Sequence, residues 1–260
     1  MQQLEGKRII ITGGAGGIAA ATTRAYIKEG AIVTVIDISD EQGVKNVKEA
    51  NLLGNGYADY IHCDISNPDE VFRVFEAAEK NMGGLDILAH IAAIESNKAA
   101  EDFTTEEMNF VWNVNINGTI LTNQAACKLM QKHGKGTIIN YASDVAMSGM
   151  PNSALYSASK GAVVSWTRSI AIEWGLKYGI RSNCVNPTII TPMYEKWRAE
   201  ATPEVLKLHD ASNKFGYPIG GGMGDADKDL APVMVFLASD GSGYMNGQVF
   251  AVNGGANMVR

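Results

Sequence analysis

Apolar residues fall in short β-branched blocks along this 260-residue chain, separated by stretches in which they recur every three or four positions. Arg8-Ile9-Ile10-Ile11, Ala31-Ile32-Val33-Thr34-Val35-Ile36 and Gly136-Thr137-Ile138-Ile139 are such blocks. Apolar runs of this length without polar alternation mark strands covered on both faces. Strands are predicted over 7–12, 31–37, 57–63, 85–91, 135–142, 180–186 and 247–252. Helices are predicted over about 17–29, 41–51, 68–82, 105–132, 154–178 and 226–239. Strand and helix alternate throughout, and right-handed crossovers turn that order into an α/β fold. The expectation is one doubly wound, mostly parallel seven-stranded sheet with helices on both faces, forming a single domain over 1–260. The segment 192–224 shows no strand of its own.

Chemistry enters at the ends of the predicted strands. The first runs into Thr12-Gly13-Gly14-Ala15-Gly16-Gly17-Ile18 and then a helix. Strand, glycine turn and helix in that order bring backbone amides and a helix N-terminus to a pyrophosphate. The second strand ends at Asp37, about 20 residues further on, where a carboxylate binds both hydroxyls of an adenosine ribose and repels a 2′-phosphate. No lysine or arginine lies in the glycine turn or just after Asp37, so NAD is expected over NADP. Tyr156 and Lys160 stand four residues apart and share a helix face. An ammonium beside a phenol favours phenolate, which would make Tyr156 a general base. Ser143 ends another strand, at the crevice side of the sheet, with its hydroxyl able to donate to a substrate oxygen.

With these residues in order, the chain resembles the short-chain dehydrogenase/reductases of about 250 residues, and the likeness runs from Lys7 to about Gly255. It implies a Rossmann-type fold and interconversion of a secondary alcohol and its ketone. Asn113-Val114-Asn115-Ile116-Asn117-Gly118 resembles the element bearing the family's active-site asparagine, placed at Asn115; Ser143, Tyr156 and Lys160 match the rest of the tetrad. By the same resemblance Gly13, Gly16, Gly17, Ile18, Asp37, Asp64, Ile65, Ala92, Tyr156, Lys160, Pro187, Ile190 and Thr191 bind the cofactor. Lys160 would hold the nicotinamide ribose and lower the pKa of Tyr156, Asn115 would hold a relay water, and 192–224 would form a substrate lid. Dimers or tetramers, paired through the helices near 105–132 and 154–178, are the usual assemblies. Four departures stand out. Ala19 replaces the third loop glycine, His90-Ile91-Ala92-Ala93 replaces Asn-Asn-Ala-Gly, Thr188 follows Pro187 in place of glycine, and Asn253 replaces aspartate. His90 reads as a strand-end packing residue.

Substrate-pocket candidates are Ile94 and Glu95 after the fourth strand, Asp144, Val145 and Met150 after Ser143, and Met193, Tyr194, Trp197, Phe215 and Tyr217 near the lid. Their mostly apolar character favours a hydrophobic or cyclic secondary alcohol, of hydroxysteroid, bile acid, terpenoid or aromatic type. The alternatives are an NADPH-dependent 3-oxoacyl-carrier ketoreductase, a sugar-alcohol dehydrogenase, and a nucleotide-sensing protein without chemistry. A net charge of −6 without a basic block argues against nucleic acid, and no apolar run approaches the length of a membrane span. Cys63, Cys127 and Cys184 are odd in number and scattered, as expected of buried thiols in the cytoplasm. The four histidines show no metal-ligand spacing.

Overall fold

In the computed structural model, residues 2–258 are described, with Met193 and Phe215 as backbone alone. Seven strands form one sheet: β1 (Arg8–Thr12), β2 (Ile32–Asp37), β3 (Tyr57–His62), β4 (Ile87–His90), β5 (Gly136–Tyr141), β6 (Ile180–Pro187) and β7 (Val249–Val252). Their order is β3-β2-β1-β4-β5-β6-β7, and every pairing is parallel. The sheet is thus wholly parallel where the pattern predicted mostly parallel. The order reverses between β1 and β4, and a ligand crevice opens at the carboxyl ends of strands flanking such a reversal.

Side chains alternate across the sheet, so each strand feeds two cores. Ile9, Ile11, Val33, Val35, Ile87, Ala89 and Ile139 pack on one face with Tyr26 and Ile27 of α1 (Gly17–Lys28) and Met234 and Leu237 of α10 (Ala231–Ala238). Ile10, Ile36, Leu88 and Ile138 pack on the other with Phe75 of α3 (Pro68–Met82), Leu129 and Met130 of α5 (Gly118–Met130) and Trp174 of α7 (Ala154–Tyr178). The remaining large crossover helix is α2 (Asp40–Ala50).

The stretch predicted as one helix over 105–132 is α4 (Thr105–Trp112), a π-helical turn over Asn113–Asn117, and α5. The capping box between Thr104 and Glu107 starts it, the Thr104 side chain accepting from the Glu107 amide at 3.2 Å. The helix predicted over 226–239 likewise begins with a π-helical turn, Ala226–Leu230, ahead of α10. A one-turn helix, α6 (Val145–Ser148), follows β5. The strandless segment holds α8 (Pro192–Glu200) and α9 (Pro203–Gly216), each with a threonine cap and proline in its first turn. A bridge between Ile189 and Gly224 closes the base of this segment.

Candidate active site

The glycine turn is held from several sides. Gly13 has φ of 74°, and a Cβ there would come within 2.8 Å of the Ala92 backbone, so only glycine lets β1 and the turn after β4 approach this closely. The turn runs through Gly16 at the N-terminus of α1, where no side chain caps the helix, and on to Gly17 and Ile18 in its first turn. A Cβ on Gly17 would meet the Pro192 ring at 2.7 Å, so the first residue of α8 rests on the dinucleotide turn. Ala15 N donates to Asp37 Oδ2 at 3.0 Å, Ser39 N donates to Asp37 Oδ1 at 2.9 Å, and Asn46 Nδ2 donates to Gly14 O at 2.8 Å. Asn46, which no local sequence pattern singles out, reaches the turn from α2 beside Asp37. Asp64 accepts from the Ser66 amide and hydroxyl. Ile65 is buried against Gly118, so its side chain serves the core. These residues fit a dinucleotide: two close approaches that a Cβ would close, an uncapped helix N-terminus, and a carboxylate fixed at the tip of β2.

His90 replaces an asparagine and sits fully buried at the end of β4. The Thr119 hydroxyl donates to Asn115 O at 2.6 Å and lies 2.9 Å from His90 Nε2, so that nitrogen carries the proton. Thr12 Oγ1 accepts from Ile91 N and Ala92 N, both at 3.0 Å, which leaves its own proton for His90 Nδ1 at 3.1 Å. Burial, reinforced by the charge of Lys160, pushes the imidazole down to about 3. It is a neutral connector, in keeping with the structural role read from the sequence.

Ser143, Tyr156 and Lys160 meet at the crevice from β5 and α7. Ser143 donates a hydrogen bond that favours the Tyr156 phenolate, yet burial and then the charge of Glu95 dominate and push the phenol up to about 12. This corrects the expectation that Lys160 by itself lowers Tyr156. Lys160 Nζ donates to Tyr141 O at 2.9 Å, lies 5.8 Å from the Tyr156 ring centre, and is itself pushed down by burial to about 8. Desolvation is the largest influence at both groups: at Tyr156 it acts with Glu95 and against the Ser143 hydrogen bond, and at Lys160 it opposes the pull of Cys184. Asn115, in the π-helical turn, turns its side chain to the loop after β4. It accepts from Ile94 N at 2.8 Å and donates to Ile94 O at 2.8 Å and Ser159 Oγ at 3.0 Å. The extra residue of the π-turn sets this register.

Pro187 ends β6, and Thr191 caps α8 by accepting from Tyr194 N at 3.2 Å, with Ile190 exposed between them. Among the substrate candidates, Glu95 lies near enough to Tyr156 to act on it, Val145 is half-buried on α6, and Met150 is exposed beyond it. The side chains of Met193 and Phe215 lie outside the described residues. Trp197 packs between α8 and α9, with Tyr194 stacked at 5.8 Å and His209 edge-on at 4.7 Å. The segment 192–224 borders an open pocket of about 500 Å³ lined by Ile190, Tyr194 and Met223 together with Glu195, Arg198, Asp210 and Asn213. Its polar half was not anticipated, and Arg198 and Asp210 form an ion pair there at 2.5 Å.

Among the described residues no group of three or more His, Cys, Asp or Glu side chains could hold a metal, and no helix is long and apolar enough to cross a membrane.

A sheet of this order, with a dinucleotide turn at one side of the reversal and a Ser–Tyr–Lys set at the other, defines a nicotinamide-dependent oxidoreductase. Comparison agrees. The profile of a family described as enoyl-(acyl carrier protein) reductase matches residues 13–257. Momilactone A synthase of Oryza sativa subsp. japonica is 36% identical over 99% of this chain and 92% of its own. The 3-oxoacyl-[acyl-carrier-protein] reductase of Thermotoga maritima is 35% identical over 97% and 98%. The crystal structure of levodione reductase superposes with a TM-score of 0.87 at 30% identity, covering 97% of this chain and 98% of that one. The chain belongs to the short-chain dehydrogenase/reductase family and is an oxidoreductase acting on alcohols and ketones with a nicotinamide cofactor.

Proposed function

We propose that this protein interconverts a hydrophobic or cyclic secondary alcohol and its ketone with NAD(H). The observation that carries the cofactor choice is Asp37, whose carboxylate is pinned by Ala15 N and Ser39 N at the tip of β2. A 2′-phosphate there would face a fixed negative charge. Gly13, Gly16, Gly17 and Ile18 would cradle the pyrophosphate, Pro187, Ile190 and Thr191 would flank the nicotinamide, and Lys160 would hold its ribose. The bound nicotinamide supplies hydride acceptance in oxidation and hydride donation in reduction. Tyr156 takes the hydroxyl proton of the alcohol, or returns it to the carbonyl oxygen of the ketone, while Ser143 donates to that same oxygen. With its phenol pushed up to about 12 in the protein alone, Tyr156 carries the proton that ketone reduction needs, and positive charge brought beside it would ease its release. Alcohol oxidation needs added positive charge beside it and gains rate as pH rises.

Glu95 beside Tyr156 argues against substrates with an anionic group next to the reacting carbon. Val145 and Met150 supply apolar wall on the α6 side, and the lid offers Trp197. We further propose that the substrate is a free small molecule handled in the cytoplasm by a homodimer or homotetramer.

The test is turnover over a panel of hydroxysteroids, bile acids, cyclic and aromatic alcohols and sugar alcohols with NAD and with NADP. Tyr156→Phe should keep dinucleotide affinity and lose at least about 100-fold in kcat, the scale of a lost general acid–base. Retained turnover in that variant removes Tyr156 from its role. Preference for NADP would favour the ketoreductase alternative.

A further inference from the structure

Two of the departures from the family pattern, Thr188 and Asn253, meet at one carboxylate. Asp144 Oδ1 accepts from Asn186 Nδ2 at 2.6 Å and from Asn253 Nδ2 at 2.9 Å, and Asp144 Oδ2 accepts from the Thr188 hydroxyl. Asn186 lies at the end of β6, Thr188 just beyond it, Asn253 just beyond β7, and Asp144 two residues after the buried Ala142 that follows β5. One side chain therefore gathers the carboxyl ends of three adjacent strands.

We propose that Asp144 is a positioning residue for the reaction: its carboxylate locks the Ser143 segment, the turn that opens the lid, and the base of the lid into one unit. Each arm can be followed. Ser143, which bonds Tyr156, is the next residue back. Asp144 O accepts from Met147 N at 2.9 Å and Ser148 N at 3.0 Å, so the same residue starts α6 and the Val145 wall. Thr188 N donates to Val252 O at 3.0 Å, and Thr188 O accepts from Gly224 N at 3.1 Å. Ile190 N then donates to Gly224 O at 2.8 Å, which sets the turn carrying Ile190 and Thr191. Asn253 also donates to Asn257 O at 3.0 Å and accepts from Gly255 N at 3.1 Å. Its neighbour Gly254 receives Ile219 N at 3.0 Å, at the foot of the lid. Tyr217 faces the cluster from the lid, its phenol held up by burial and then by the Asp144 charge.

The arrangement takes one negative charge. Three donors converge on Asp144, and charge-assisted bonds of this kind are the strong ones. The family's usual aspartate at 253 would set a second carboxylate about 2.9 Å from Asp144 Oδ1, where both cannot ionise without repulsion. Asn253 is thus the complement of Asp144. Asn186 Oδ1 is buried without a partner, so its amide is able to turn over and accept instead of donate.

The test uses N253D, T188V and the exchanged pair D144N/N253D in the full-length protein. The proposal rests on alcohol–ketone turnover, so Y156F is run in parallel: activity present in the parent and lost in Y156F upholds that reading whatever the other variants do. N253D is expected to lower kcat by about 10-fold or more, as small misplacements of reacting groups do, with a smaller rise in dinucleotide Kd, since the cluster reaches the cofactor only through the Ile190–Thr191 turn. T188V is expected to lower kcat by a smaller factor than N253D, with a Kd change smaller than its kcat change. The exchanged pair restores a single charge but leaves Asn257 O without its donor, so kcat should recover in part, to at least about three-fold above N253D, a recovery that a simple packing role would not give. N253D at parental kcat, or an exchanged pair no better than N253D, overturns the proposal. Should the parent turn over nothing on the panel, melting temperatures decide: N253D lowered and the pair partly restored supports it, and equal values for N253D and parent overturn it.

Discussion

Lys160 is the side chain whose burial costs most at the reacting end of the site. Its ammonium ordinarily loses its proton near 10.5, and burial brings this to about 8. Between those values the unfolded chain holds a proton that the folded protein has released, so this group raises folding stability as pH climbs from about 8 to 10.5. Below about 8 the folded protein bears the full cost of a buried charge. Urea unfolding at pH 7.5 and 9.5 should therefore show the parent gaining on Lys160→Met by about 1–2 kcal/mol over that interval. An equal pH response in the two proteins would mean that Lys160 is solvated when folded. Asp37 gives the matching test for the cofactor. Asp37→Ala should move the NADP-to-NAD affinity ratio at least about 10-fold toward NADP, a change of about 1.4 kcal/mol, read by titration of each dinucleotide. An unchanged ratio would show that something else excludes the phosphate.

At the next scale, His90 fastens elements together. Its ring spans Thr12 at the end of β1 and Thr119 and Thr122 on α5, with the Asn115 π-turn one hydrogen bond further on. Because burial holds the imidazole at about 3 against 6.5 in the open chain, its contribution is complete above pH 6.5. As pH falls below that, the unfolded chain takes up a proton that the folded state refuses, and stability drops by about 1.4 kcal/mol per pH unit from this group alone. His90→Asn should flatten the acid limb of a stability-against-pH curve between 6.5 and 4.5; an unaltered limb would place the proton uptake elsewhere. Most elements were legible in the chain because β-branched blocks and the 3.6-residue rhythm are local signals. The π-turns were not, since five residues shift a helix register without changing its apolar rhythm. Helices α8 and α9 were announced by Thr191-Pro192 and Thr202-Pro203, cap and first-turn proline, a signal the glycine-rich surroundings obscured.

For the whole molecule, the exposed side of α7 is the feature that asks for company. Ile172 and Leu176 lie four residues apart at 69% and 86% exposure, with Phe110 and Trp112 exposed on α4. If a second copy covers α7, Ile172→Glu with Leu176→Glu should shift the sedimenting species to a smaller size while leaving the far-ultraviolet dichroism unchanged. An unshifted species would put the assembly surface elsewhere. The seven-stranded sheet was readable from the alternation of strands and helices, and Tyr156 and Lys160 stood out as neighbours in sequence, whereas the strand order β3-β2-β1-β4-β5-β6-β7 is set by long-range pairing. The Asp144 cluster joins residues up to 109 positions apart, and the high phenol pKa of Tyr156 depends on burial and on Glu95. No local pattern encodes either.

Pro192 standing on Gly17 gives this architecture a practical limit. A lid exchanged for that of another enzyme brings its own first residue to a seat shaped by the dinucleotide turn. A designer who swaps 192–224 to change substrate is therefore also editing the cofactor's cradle, and position 17 belongs in the same library as the lid.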